Sequence, residues 1–102
     1  MYCITAAYPA GEGSTFDFGY YLKNHIPMAM ELLGERAVRA EVRKGVAGPG
    51  GSPAPYICVA SIFITTPAAF HDALAHHGAR ILGDIPNYTN IQPIIQVDEV
   101  LE

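Results

Sequence analysis

The stretch from Tyr56 to Thr65 is apolar on both sides of an extended chain: Tyr56, Cys58, Ala60, Ile62 and Ile64 point one way, Ile57, Val59 and Phe63 the other. Successive strand residues alternate between faces, so such a strand needs cover above and below. Three other segments have strand character. Tyr2 to Tyr8 alternates small and large apolar residues and ends at the breaker-rich loop Pro9-Ala10-Gly11-Glu12-Gly13. Ala37 to Val46 sets Val38, Ala40, Val42 and Val46 against Arg39, Glu41 and Arg43, giving one dry and one wet side. Ile91 to Val100 alternates again.

Between these strands lie two segments of helical period. Ser14, Thr15 or Asp17 can cap the first, whose apolar positions at 18, 21, 22, 25, 28, 29 and 32 run until Gly34, predicting a helix over 17–33. Pro27 lies inside it, and its ring crowds the carbonyl of Lys23 while Ile26 is disfavoured in the helical region, so a kink or restart is expected there. Thr66-Pro67 reads as N-cap and first helical residue of the second helix, where Phe70, Ala73, Leu74, His77 and Ile81 recur at helical spacing up to Leu82 or Gly83. The loop 47–55, rich in glycine and proline, makes strands two and three a hairpin with a long, mobile tip.

The order β-α-β-β-α-β predicts an α+β fold of the ferredoxin-like type: a four-stranded antiparallel sheet with two helices on one face, in a single domain spanning 1–102. The helices cover one side of the third strand, and no residues remain to cover the other. Only 16% of residues are charged, low for a surface bathed in water all round. Both points lead to a homodimer joined through the open sheet face.

The formal net charge is -4, and the basic residues Lys23, Arg36, Arg39, Arg43, Lys44 and Arg80 are spread over several elements, which argues against nucleic acid as a partner. No apolar run reaches the ~18 residues of a membrane span, and the N-terminus enters a strand without a basic leader, so the expectation is a cytoplasmic protein with no membrane partner. Cys3 and Cys58 fall inside strands without metal-type spacing and read as small buried apolar residues, a disulfide between neighbouring strands being the alternative.

Chemistry is sought where Tyr21 and His25 stand one helical turn apart, on one face with Phe18, Leu22, Met28, Ala29 and Leu32. A phenol and an imidazole suit proton exchange near neutral pH. The pocket expected beside them is lined by Phe18, Leu22, Phe63, Phe70 and Leu74, a lining suited to a small, flat, apolar or aromatic ligand carrying a carbonyl or phenol. His77, on the apolar face of the second helix, would flank it. His25 and His77 can equally be core histidines holding helix ends. Asp84 could orient an imidazole or simply hydrogen-bond its own turn with Asn87, and Tyr88 reads as a site residue or as an aromatic plug. His71, Asp72, His76 and His77 lack a convergent ligand geometry, so no metal is expected. No phosphate loop, serine elbow or activated cysteine is present.

The segments Phe16 to Pro27 (F-D-x-x-Y-Y-x-x-x-H-x-P), Gly51 to Tyr56 (G-S-P-A-P-Y) and Asp84 to Pro93 (D-I-P-N-Y-T-N-I-Q-P) together resemble the EthD family, named for ethyl tert-butyl ether degradation. The resemblance spans nearly the whole chain and implies a dimeric α+β barrel, in which two ferredoxin-like sheets close on each other. It implies no single reaction. Relatives with this barrel include cofactor-free monooxygenases, muconolactone-type isomerases, dehydratases and haem-binding enzymes. An axial histidine on the second helix of some of them would correspond to His77, but no haem attachment signal accompanies it, and no cofactor is expected.

The function expected is a cofactor-independent acid-base enzyme of isomerase, dehydratase or monooxygenase type. In it His25 transfers a proton and Tyr21 hydrogen-bonds a developing enolate or phenolate oxygen. The alternative is a non-enzymatic dimer that binds or delivers a small apolar metabolite beside a partner oxygenase.

Overall fold

The computed structural model describes residues 1–102. The chain forms β1 (Tyr2–Pro9), α1 (residues 18–33), β2 (Ala37–Lys44), β3 (Tyr56–Ile64), α2 (Pro67–Gly83) and β4 (Ile94–Glu99), with short 3-10 turns at Gly34–Arg36, Pro49–Gly51 and Ile85–Asn87. The four strands make one antiparallel sheet in the order β2-β3-β1-β4. This is the ferredoxin-like arrangement that the order of elements predicts. No helix is long and apolar enough to cross a membrane.

Each boundary has a local cause. Asp17 caps α1, its carboxylate accepting from the Tyr20 amide at 3.0 Å, and Gly34, at φ +68, ends the helix in a conformation that disfavours side chains. The Thr66 hydroxyl caps α2, with Pro67 in its first turn. β2 stops at Lys44, two residues short of the expected Val46, which is almost fully exposed. At Gly45 a Cβ would lie 1.9 Å from the Tyr56 carbonyl oxygen, so only glycine lets the two backbones meet there. β4 begins at Ile94, not Ile91. The Ile91 amide donates to the Thr89 hydroxyl (3.1 Å), which itself donates to the Thr15 carbonyl (2.6 Å). Those residues are thereby tied to the loop before α1, and Pro93 has no amide to join the ladder.

α1 neither breaks nor restarts at Pro27. It widens one turn earlier into a π segment, Tyr21–His25, closed by the Ile26 amide bonding back to the Tyr21 carbonyl, and then continues as α-helix over Ile26–Leu33. Ile26 stays helical at φ -62, ψ -47. A proline needs its preceding turn loosened because it lacks an amide and its ring presses on the carbonyl four residues back. Here one surplus residue in the turn supplies the room.

The core lies between the helices and one sheet face: Ile4, Tyr8, Cys58, Ala60, Ile62 and Ile64 meet Tyr21, Ile26, Ala29 and Leu33 of α1, Ala69 and Ala73 of α2, and Tyr88. Both cysteines are free and buried. Their partners across the ladder are Phe63 for Cys3 and Tyr8 for Cys58, so the strands do not bring the thiols together. No helix packs on the opposite sheet face. There the Thr5 hydroxyl donates to the Asp98 carboxylate, Arg43 donates to Glu41 (2.6 Å) and to the Ser61 hydroxyl (3.1 Å), and Arg39 donates to Glu41 (3.0 Å) while lying over the Phe63 ring at 4.0 Å. This face is therefore laced with ion pairs from β2 rather than uniformly apolar.

Candidate functional site

The π segment sets the geometry of the site. Residues four apart lie on one face of a helix, and Tyr21 and His25 remain such neighbours across the wider π turn. Tyr21 and His25 consequently stack, their ring centroids 5.4 Å apart and planes 12° from parallel. Both are buried. Tyr88, on the segment between α2 and β4, packs its ring 4.8 Å from Tyr21 and 4.7 Å from His25.

His25 is oriented from behind by Asp84, the residue that caps the end of α2. Its Nδ1 lies 2.9 Å from Asp84 Oδ2. Asp84 Oδ1 also accepts from the Tyr20 hydroxyl (2.7 Å) and the Asn87 side-chain amide (3.0 Å). Partial burial pushes this carboxyl up, but the hydrogen bonds from Asn87, Tyr20 and His25 together hold it below its ordinary range. An ionised carboxylate only accepts, so Nδ1 carries the imidazole proton. No hydrogen bond reaches Nε2, and no buried side-chain nitrogen or oxygen lacks a partner. Nε2 therefore keeps accessible surface, as an acceptor. Asp84 fills both of the roles open to it, holding its turn through Asn87 and orienting an imidazole.

The surface beside His25 is an apolar cavity of about 70 Å³ between the helices and the sheet, lined by 17 residues of which His25 is the one outside the apolar and aromatic classes. Three tyrosines, 8, 21 and 88, stand in its wall. Burial pushes all three hydroxyls above the ordinary tyrosine value, so they remain neutral, and Tyr21 keeps its proton near neutral pH. Leu82, 47% exposed, and Ile95, 38% exposed, also line the cavity. They mark its mouth, between the end of α2 and the edge strand β4. The void is roughly half the size of an engineered cavity of about 150 Å³ that binds benzene, so a guest of that size would have to extend into this mouth.

Of the residues expected at the pocket, Tyr21, His25, Phe70 and Tyr88 line the cavity, and Asp84 stands behind His25. The others do not converge. Leu22 is 52% exposed because the surplus residue of the π turn rotates it outward. Phe18 lies off the cavity against Phe16 (centroids 4.5 Å apart), with the Lys44 ammonium over its ring. Phe63 is on the far sheet face beneath Arg39, as strand alternation requires. Leu74 is half-buried beside the cavity-lining Ala73 but outside the wall. His77 is exposed: its backbone leaves the helical region at φ -134, ψ 15, and the ring turns away from the core.

Haem does not fit. The only histidine in the cavity wall is His25, whose Nδ1 is engaged by Asp84, His77 faces outward, and the void is far smaller than a porphyrin. No three His, Cys, Asp or Glu side chains gather as a metal site. Asp72 pairs instead with Arg36 at 2.9 Å.

Tyr8 was not singled out from the sequence. It is buried at the end of β1 on the helix-facing side, 2.7 Å from the Tyr88 hydroxyl and 3.4 Å from that of Tyr21. Its signal was available: Tyr2, Ile4, Ala6 and Tyr8 share one strand face, which places a phenol at the end of an otherwise apolar row.

The model of the EthD domain matches residues 11–92. Among solved structures, an EthD-like protein from Ralstonia eutropha is 37% identical, with a TM-score of 0.92 over 99% of this chain and 92% of that one. An ethyl tert-butyl ether degradation (EthD) family protein from Bacillus halodurans is 14% identical, with a TM-score of 0.67 over 99% of each chain. HapK from Hahella chejuensis is 18% identical, with a TM-score of 0.59 over 100% of this chain and 95% of that one. The last two share the fold. No curated protein matches the chain. The domain match and the Ralstonia eutropha relative together show that this chain belongs to the EthD family.

Proposed function

We propose that the protein is a cofactor-independent acid-base enzyme acting on a small apolar or aromatic compound that carries a carbonyl or phenol oxygen. The observation that carries this reading is the 2.9 Å contact between Asp84 Oδ2 and His25 Nδ1, in a histidine that lines an apolar cavity and whose Nε2 has no partner. Nε2 takes a proton from the carbon beside the carbonyl. The C–H electron pair becomes a C=C bond, the carbonyl π pair moves onto oxygen, and the Tyr21 hydroxyl stabilises the resulting enolate. Return of the proton to a conjugated carbon gives isomerisation, and its delivery to a departing hydroxyl gives dehydration. Oxygenation would need dioxygen as co-reactant at the same carbanion.

The test is deuterium uptake at the α-carbons of small ketones such as cyclopentanone in D2O, followed by NMR. The protein accelerates exchange, and His25→Ala loses about 10²- to 10⁴-fold of the acceleration while its circular dichroism is unchanged. If His25→Ala unfolds, the histidine is a core residue and the mechanism fails. The wall, apolar but for His25, also favours a second reading, a carrier that binds such a compound without turning it over. A ketone that binds but does not exchange selects that reading.

A second copy across the open sheet face completes this proposal. Phe63 and Val59 are half-buried there and Ile94 is exposed, on a face that no helix covers. Sedimentation equilibrium giving a monomer at micromolar concentration removes the dimer. Two free cysteines suit a reducing compartment, and we place the protein in the cytoplasm.

A further inference from the structure

The three phenols in the cavity wall can be ordered by counting protons. A phenol has one O–H to give and can also accept. Tyr8 donates to the Tyr21 oxygen at 3.4 Å, which uses its only proton. Either phenol could donate across the 2.7 Å contact between Tyr8 and Tyr88, and with the Tyr8 proton aimed at Tyr21, Tyr88 is the donor there. The bonds run one way, from Tyr88 to Tyr8 to Tyr21, and they end on a hydroxyl whose own proton has no acceptor in the protein. Tyr21 is only 1% exposed, so bulk water does not take that proton either. The cavity is the space beside it into which an acceptor can come.

We infer that this directional chain presents a single O–H donor to the cavity, that Tyr8 is the positioning residue fixing its direction, and that the guest is a small apolar carbonyl compound. The inference rests on the reading of Tyr21 and His25 as the site and narrows its substrate class. Burial keeps all three phenols neutral, so none becomes an acceptor by ionising. A hydrocarbon guest leaves the Tyr21 proton unpaired, a loss of about tenfold or more in affinity. A carboxylate guest brings a charge into a wall with one donor, which is worse. An alcohol oxygen accepts from Tyr21, but its own proton then needs an acceptor, and giving it to His25 Nε2 occupies the base. A carbonyl needs Tyr21 alone and leaves Nε2 free. Each bond in such a chain polarises the next, so Tyr8 also strengthens Tyr21 as a donor.

The test uses cyclopentane, cyclopentanol and carbonyl-¹³C cyclopentanone with the intact protein, Tyr21→Phe and Tyr8→Phe. The ketone is expected to bind about tenfold or more tighter than cyclopentane, with its carbonyl resonance displaced downfield from its position in alkane. Tyr21→Phe removes both effects. Tyr8→Phe keeps the ketone bound within about threefold but shrinks the downfield displacement. Should Tyr8→Phe not fold, Tyr88→Phe, one link further along, is read in the same way. A full displacement in the Tyr8 variant, or a ketone bound no tighter than cyclopentane or not at all, overturns the inference. A displaced resonance without α-hydrogen exchange leaves the donor chain standing and removes the proton-transfer mechanism. Exchange with an unaltered resonance in Tyr8→Phe does the reverse.

Discussion

Asp84 and His25, 59 residues apart in the chain, meet at 2.9 Å between Oδ2 and Nδ1, and this pair joins the end of α2 to the π turn of α1. The same carboxylate accepts from Tyr20 and Asn87, so it is anchored before it orients the imidazole. Asp84→Asn keeps the volume but removes the acceptor-only group that fixes the tautomer. Ketone exchange is expected to fall by about 10- to 100-fold with the fold intact. A variant that exchanges at the full rate would show that His25 needs no orienting partner.

Stability should depend on the same carboxylate in acid. Its folded value lies below the ordinary 3.8, so its contribution is present above the unfolded value and is lost as pH falls through the folded one. Urea unfolding of the parent and Asp84→Asn should therefore differ at neutral pH and converge as the pH drops below about 4. A constant difference across that range would detach the effect from titration of Asp84.

At the alkaline end the phenols act with the opposite sign. The folded values of Tyr8, Tyr21 and Tyr88 are raised above 10.0. Their contribution is complete below about pH 10 and is lost above it, as the unfolded chain ionises and the folded one does not. Phenolate absorbance should rise in two steps: the more accessible tyrosines first, the buried three only together with unfolding. A single step preceding unfolding contradicts the buried cluster.

Ala73 is 3% exposed and lines the cavity. Ala73→Leu places three more carbons where the guest enters. Ketone binding and exchange should be lost, while the melting temperature holds or rises, since filling a void commonly adds about 0.5–2 kcal/mol. Retained binding would move the guest out of this cavity.

Gly45→Ala should destabilise through the backbone alone. Its Cβ would meet the Tyr56 carbonyl oxygen at 1.9 Å, and relief requires β2 and β3 to part at the hairpin end. A loss of about 1–3 kcal/mol is expected by denaturant unfolding, without direct effect on a cavity at the other side of the sheet.

The fold was legible because periodicity reports burial, and strands and helices differ in period wherever the backbone is regular. Tyr21 and His25 were found for that reason. Leu22 and His77 were misplaced because both lie where the backbone leaves the 3.6 period, Leu22 in the π turn and His77 at its own break in α2. Neither departure has a sequence signature beyond Pro27, which announced a disturbance but not its form. Phe63 followed its strand parity to the far face, so lining the pocket with it set aromatic character above geometry. Tyr8 and the mouth residues Leu82 and Ile95 depend on which parts of three elements meet, and no local pattern carries that.

The wide turn at Tyr21–His25 makes chain length, more than residue type, the quantity that must be kept in this part of the molecule. Losing one amino acid between the two rings would let the coil tighten to its ordinary pitch and slide them out of column. A homologue shortened at that spot could keep the tyrosine and the histidine and still lack the pair.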